Sequence, residues 1–246
     1  MKIVYSAMMS LALLLSGCKF DNVSINEGRR IDPSQNIVKK EFKMDAFDKV
    51  VTDVVANVKF IQSSGDDYRV VLSAPDNYIE LFTFKVNRHE LEVSHGRQGI
   101  NIDAEHVDVT IYSPTLRKLE NSGLSNVEID RLTTNEFDVE NSGVGSLYLS
   151  GLAVTKLDAE CSGVGSMELS GTAEEVELDC SGVGSIKAER LKAKNVKADV
   201  SGVGGIKCYA SERINAEVSG VGSLKYGGNP KDKQLQRSGV GSISEL

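Results

Sequence analysis

Along residues 119–246, apolar and polar positions alternate in short runs, and the runs recur at a near-constant interval. Leu157-Asp158-Ala159-Glu160-Cys161 and Ser166-Met167-Glu168-Leu169 are two of them. A period of two puts successive side chains on opposite faces of a β-strand. The runs are joined by a Gly-rich S-G-V-G link, which suits a tight corner rather than a helix. Ser-Gly returns at Ser122, Ser142, Ser162, Ser181, Ser201, Ser219 and Ser238, spaced by 18–20 residues. Six of these seven copies keep S-G-V-G, and the first, Ser122-Gly123-Leu124-Ser125, is degenerate. No unit holds an amphipathic stretch of ten residues, which disfavours helical repeats and leucine-rich horseshoes. The predicted fold is all-β: a parallel β-helix, or β-solenoid, of about 18–20 residues per turn.

Stacked coils align equal positions of each unit into columns about 4.8 Å apart. With each repeat serine as position zero, position −3 reads Leu119, Val139, Ala159, Leu178, Ala198, Ala216, Leu235. Position +5 reads Val127, Leu147, Met167, Ile186, Ile206, Leu224, Ile243. Position +2 reads Leu124, Val144, Val164, Val183, Val203, Val221, Val240. All three columns are apolar throughout and are expected to face the interior. Position +7 runs from Ile129 to Tyr226 and turns polar only at Glu245, where the stack ends. Glycine at +1 and +3 implies close backbone approach at the corner.

Residues 37–118 lack the repeat but hold strand-like runs at Lys49–Thr52, Asn57–Gln62, Tyr68–Ser73, Phe82–Asn87, Glu90–Ser94 and His106–Tyr112. Asn77–Phe82 could form one helical turn. This zone is expected to be β-rich, continuous with the solenoid, and to cap its N-terminal end, because an uncapped coil is an unpaired strand edge. If the C-terminal edge near Ile243 is left open, end-to-end dimers are the expected consequence.

The first residues read as an address. Lys2 precedes an apolar stretch, Ile3 to Leu15, too short to span a bilayer as a stable helix. It ends in Leu15-Ser16-Gly17-Cys18, which looks like a bacterial lipobox. The expectation is cleavage of a 1–17 signal peptide and acylation of Cys18, with residues 18–36 as a polar tether. Lys19, rather than an aspartate, follows the cysteine, which favours the outer membrane.

The 246 residues carry 28 Lys+Arg against 35 Asp+Glu, a net charge of −7, and this acidic balance argues against nucleic-acid binding. The chain is 40% hydrophobic, too apolar to be disordered. Candidate chemistry is sparse. Cys161 and Cys180 both fall at position −1 of successive coils, an inward column, either as buried free thiols or as a strained bridge. Cys208 lies on another inward column. His89, His95 and His106 have no metal-motif spacing and no nucleophile context. Position −2 forms an outward column of carboxylates, Glu120, Glu140, Glu160, Asp179, Asp199 and Glu217, followed by Gln236. Asp138, Asp158 and Glu177 lie beside it at −4, and Lys187, Lys207 and Lys225 align at +6. The plain reading is a solvated face that discourages sheet aggregation. The sharper one is a strip for a cation, Ca²⁺ by ligand chemistry, or for a basic partner.

Phe47-Asp48-Lys49-Val50, Asn57-Val58-Lys59-Phe60-Ile61-Gln62 and Val109-Thr110-Ile111-Tyr112-Ser113-Pro114-Thr115-Leu116, leading into the S-G-V-G-S ladder, are similar to a bacterial envelope family. That family is described as auto-transporter adhesin, head GIN domain. The resemblance spans residues 40–246 and implies a solenoid-like, secreted or lipid-anchored protein without established enzymatic activity. The expected function is therefore non-catalytic: an envelope surface for adhesion or scaffolding, with an unidentified envelope or surface partner. The alternatives are a carbohydrate-binding module retained on polysaccharide, or a polysaccharide-active β-helix enzyme. Few aromatics (Tyr148, Tyr209, Tyr226) and no long inserted loops weigh against the enzyme.

Overall fold

The computed structural model describes residues 29–96 and 99–246. The leader and Cys18 lie outside the described residues. A single 17-stranded sheet coils on itself. Parallel, in-register pairing joins each repeat to the next. Val144–Leu149 lies on Val164–Leu169, which lies on Val183–Ala188 and then Val203–Cys208. Each coil has three runs. The first, for example Lys156–Cys161, ends at the Ser162-Gly163 corner. The second is Val144–Leu149 in the coil before, and the third, beginning at Leu152, follows a second corner at Ser150-Gly151.

The interior is a stack of aliphatic columns. Positions −3, +5 and +7 are buried from the first repeat onward, and only the last coil exposes its members, with Leu235 and Glu245 open to solvent. Position −1 also points inward, from Asn121 through Cys161 and Cys180 to Val218. Position +2 does not. Leu124, Val144, Val164, Val183, Val203 and Val221 are 49–60% exposed, and Val240 is 81% exposed. The expectation that this column fills the core is corrected by the pleat. Alternation runs unbroken across the Ser-Gly corner, so every odd position faces in and every even one faces out. The change of phase falls at the second corner instead, where Leu149 and Leu152 are both buried three residues apart. Register shifts that absorb the varying repeat length also sit in this part of the coil, between Leu149 and Leu152 and between Glu168 and Ser170.

The glycines follow from the same parity. At +1 and +3 an inward Cβ would strike the backbone of the preceding coil, as at Gly163, where it would lie 2.1 Å from the Gly143 carbonyl oxygen.

The ladder extends beyond the Ser-Gly signature. Lys49–Thr52 and Val55–Phe60 pair in parallel with Lys118–Asn121 and Leu124–Ile129, forming a coil of their own. Glu90–Ser94 and Asp108–Ser113 stack on its other side. Stacking order therefore departs from chain order, since the 90–113 coil lies outside the 49–62 coil. Antiparallel partners close the N-terminal end. Arg69–Ser73 lies on Asp108–Tyr112, Ile37–Lys43 on Arg69–Pro75, and Phe82–Asn87 on Glu90–His95. A 3₁₀ turn, Asp76–Leu81, stands where a single helical turn is expected. Its Tyr78 is fully buried and donates to the Ile31 carbonyl at 2.6 Å, while Asn36 and Ser34 hydrogen-bond to Asp76. Residues 31–36, expected as tether, are thus docked on the cap. At the other end, Asp232–Arg237 and Ser242–Glu245 have a ladder neighbour on one side only among the described residues.

Candidate functional site

The third run of each coil forms a trough along the solenoid axis. Its floor is small and apolar: Val154, Ala173 and Ala193, each at most 7% exposed. Ala153, Thr172 and Lys192 line one side in register, and Thr155, Glu174 and Lys194 line the other. The trough has a volume of about 890 Å³. Gln62 closes its N-terminal end, accepting from the Thr133 backbone N–H at 2.9 Å and donating to the carbonyls of Pro114 and Thr133 at 3.0 Å. Near the other end the Lys192 ammonium lies 3.8 Å from the centre of the Tyr209 ring. Glu174 is the one carboxylate among the lining residues, and it pairs with Lys194 at 2.7 Å. Sequence reasoning missed this groove because none of its residues belongs to the repeat signature. The signal available was the position of the length variation, which concentrates opposite the Ser-Gly corner.

The carboxylate column at −2 stands on the first run and faces outward, in register from Glu120 to Glu217. Two lysines of the chain reach the column, Lys118 at its N-terminal end and Lys197 at Asp199. Lys118 lies 3.1 Å from Glu120 and 4.0 Å from Glu140. Lys197 lies 2.5 Å from Glu177 and 3.8 Å from Asp199. Glu160 and Asp179 in the middle, and Glu217, form no ion pair among the described residues. Burial, reinforced by neighbouring carboxylates, raises the pKa of Asp158, Glu160 and Asp179 above the ordinary carboxylate value. Among the described residues, no group of three or more His, Cys, Asp or Glu side chains is arranged to hold a metal ion.

Cys161 and Cys180 are register partners, both fully buried and unbridged, and Cys208 is buried and free. A hydrogen bond shared with Cys180, together with burial, pushes the Cys161 thiol up, and burial pushes Cys208 up to about 12. These are packing thiols rather than nucleophiles. His95 sits in the cap, its Nε2 accepting from the Val55 N–H at 3.1 Å and its ring 4.8 Å from that of Phe82. His89 Nδ1 lies 3.2 Å from the Ala46 carbonyl, and His106 is exposed. The structure does not bring the three histidines together with a nucleophile.

These features define a parallel β-solenoid with a capped N-terminal end, a monotonous repeat surface and an axial groove along the third run. The chain belongs to the family described as "Putative auto-transporter adhesin, head GIN domain", whose model matches residues 46–230. It is similar to the crystal structure of a protein titled a putative adhesin from Bacteroides fragilis NCTC 9343. That likeness has 36% identity and a TM-score of 0.85, covering 88% of this chain and 100% of the other. A structure from Parabacteroides distasonis ATCC 8503 titled a putative lipid binding protein shares the fold at 19% identity and a TM-score of 0.74, covering 89% and 100%. One from Parabacteroides merdae ATCC 43184 titled a putative adhesin does so at 21% identity and 0.68, covering 88% and 99%. No curated protein is significantly similar to the chain.

Proposed function

We propose that the protein is a non-catalytic envelope adhesin, held at the outer membrane through acylated Cys18, that lays an extended polysaccharide along the axial groove. The observation that carries this is the groove itself. It crosses about four coil steps, roughly 20 Å, which suits a chain-like ligand rather than a compact metabolite. Its walls offer hydroxyls, the amides of Gln62 and Asn135, and charges at coil intervals, with Tyr209 as an aromatic platform at one end. Its single carboxylate, already paired, supports binding over hydrolysis, since glycoside cleavage uses two carboxyl groups across the scissile bond. The names carried by the 36%-identical relative and by the family agree with an adhesive role.

The experiment is retention on immobilised extracellular and host polysaccharides, comparing the native protein with Tyr209→Ala and Thr172→Tyr. The expected result is retention of the native protein without cleavage, weakened by both substitutions. Retention on no polysaccharide, or retention unchanged by both, overturns the groove reading. Protease shaving of intact cells tests display: release of the folded part supports adhesion, and full protection argues for a periplasmic scaffold.

A further inference from the structure

The second run carries two outward columns, at positions +4 and +6, on either side of the buried column at +5. In the later coils position +4 is mostly serine, as at Ser146, Ser166 and Ser185, and position +6 is charged, as at Glu168, Lys187 and Lys207. The N-terminal coils break this pattern. By register, their +4 column reads Asp108, Asn57 and Asn126 in stacking order. Their +6 column reads Thr110, Lys59 and Glu128, and Tyr148 continues it in the next coil. These two rows enclose a cavity of about 550 Å³, floored by the buried Val58, Val109 and Val127. The scaffold itself needs only the repeat, so a departure from it is where a binding role is to be sought.

Tyr148 is the most exposed aromatic of the described residues, at 48%. Tyr112 and Tyr209 each hold a cation of the chain over one ring face, Arg69 at 3.6 Å and Lys192 at 3.8 Å. Among the described residues no cation or second ring stacks on Tyr148, so its ring is open to a ligand. The polar walls are fixed in advance. Asn126 Oδ1 accepts from the Ser146 backbone N–H at 3.1 Å, which leaves its Nδ2 donors for another acceptor. Asn57 Nδ2 donates to Asp108 Oδ1 at 3.3 Å, and Asp108 forms no ion pair among the described residues. Lys59 lies 2.7 Å from Asp130 and 3.4 Å from Glu128, so its charge is already matched.

We propose that this cavity is a second binding site, for a short uncharged oligosaccharide or glycan end, with a pyranose ring stacked on Tyr148. A sugar ring has an apolar C–H face and a rim of hydroxyls, each both donor and acceptor. The cavity offers the complement: an aromatic face, amide donors and a carboxylate acceptor. These groups stand about 4.8 Å apart along the axis and about 7 Å apart across it. The site spans three coil steps, roughly 14 Å, which suits a few linked rings rather than the extended chain assigned to the groove. Charge narrows the class further. With Lys59 matched and Asp108 unmatched, the walls are acidic, which disfavours a phosphate, a sulfate or a uronic acid. The cavity lies on the second run and the groove on the third, so this inference does not rest on the groove reading.

The test uses the full-length protein in a detergent that carries no sugar, and saturation-transfer NMR with cellotriose, chitotriose, mannotriose and galactotriose. At least one is expected to bind saturably. Tyr148→Ala and Asn126→Asp are each expected to weaken that binding at least about tenfold at an unchanged melting temperature. Asn126→Asp keeps the acceptor for the Ser146 N–H and removes only the donors. Tyr148→Phe, which keeps the ring, and Tyr209→Ala, in the groove, are expected to leave binding within about twofold of the native protein. Saturable binding of none of the trisaccharides, or binding that Tyr148→Ala and Asn126→Asp leave unchanged, overturns the proposal. Binding lost in Tyr209→Ala and kept in Tyr148→Ala assigns the sugar to the groove and overturns it as well. Polysaccharide retention by Tyr148→Ala keeps the failure of this site separate from the failure of the groove.

Discussion

A Cβ placed on Gly165 would stand 1.8 Å from the carbonyl oxygen of Gly145 in the coil before it. No side chain fits there without parting the two coils, because the obstacle is backbone. Gly165→Ala is therefore expected to cost more than about 3 kcal/mol and to leave the repeat region unfolded or insoluble. Val164→Ala, one residue earlier and 52% exposed, is expected to change stability by less than about 1 kcal/mol. Thermal unfolding followed by circular dichroism compares the two. Equal effects would show that coil contact at the corner is looser than the geometry states.

That pair also marks where the sequence was legible. Period-2 alternation and the Ser-Gly spacing were enough to identify a parallel solenoid and to place Leu147, Met167 and Ile186 inside. They misplace Val164, because apolar character alone does not fix which way a side chain faces at a corner. In the fold the pleat carries straight through, and the inward positions at that corner are the glycines. The 49–62 coil was hidden for a related reason: Val54 stands where the repeats carry the first glycine, so no signature marks it. The order in which this coil and the 90–113 coil stack rests on long-range pairing, which no local pattern encodes. The groove was invisible because its floor, Val154, Ala173 and Ala193, comes from the part of each unit that varies most in length.

Inside the N-terminal coils a short polar line runs along the otherwise apolar column at −1. Thr52 Oγ1 donates to Asn121 Oδ1 at 3.1 Å, Asn121 Nδ2 donates to Asn141 Oδ1 at 2.9 Å, and Asn141 Nδ2 donates to the Gly145 carbonyl at 3.2 Å. All three side chains are fully buried. Asn121→Ala takes from Thr52 its side-chain acceptor and leaves Asn141 Oδ1 without its donor, and is expected to cost about 2–4 kcal/mol. Replacing both asparagines by valine, the residue the same column carries at Val200 and Val218, is expected to cost less than the sum of the single valine changes. A double-mutant cycle by urea unfolding measures the coupling, and strict additivity would show that the amides do not act together.

The centre of the acidic column, where Glu160 and Asp179 form no ion pair among the described residues, should respond to charge removal. Glu160 lies between Glu140 and Asp179 in register, and its raised pKa marks a folded state that disfavours the ionised form. Glu160→Gln is expected to raise stability at pH 7 and low salt by about 0.5 kcal/mol, and to lose that advantage in high salt. The sign follows from linkage. A carboxylate with a raised folded pKa is a liability above that value, and the liability disappears as pH falls through it. Melting curves of both proteins at low and high salt check the effect, and a destabilised Glu160→Gln would mean that the carboxylate has a partner.

His95 should act in the opposite sense. Burial is the main cause of its lowered pKa, and its Nε2 must stay unprotonated to accept from the Val55 N–H where the cap meets the 49–62 coil. Its folded value lies below the ordinary 6.5, so the unfolded chain binds the proton more readily. The contribution of His95 is therefore complete above about pH 6.5 and is lost as pH falls from there through the lowered folded value. The melting temperature is expected to drop between pH 7 and pH 5.5, and the drop to shrink in His95→Gln, whose amide oxygen can accept from Val55 at any pH. The same slope in both proteins would assign the titration elsewhere and remove His95 from the account of how the cap is held.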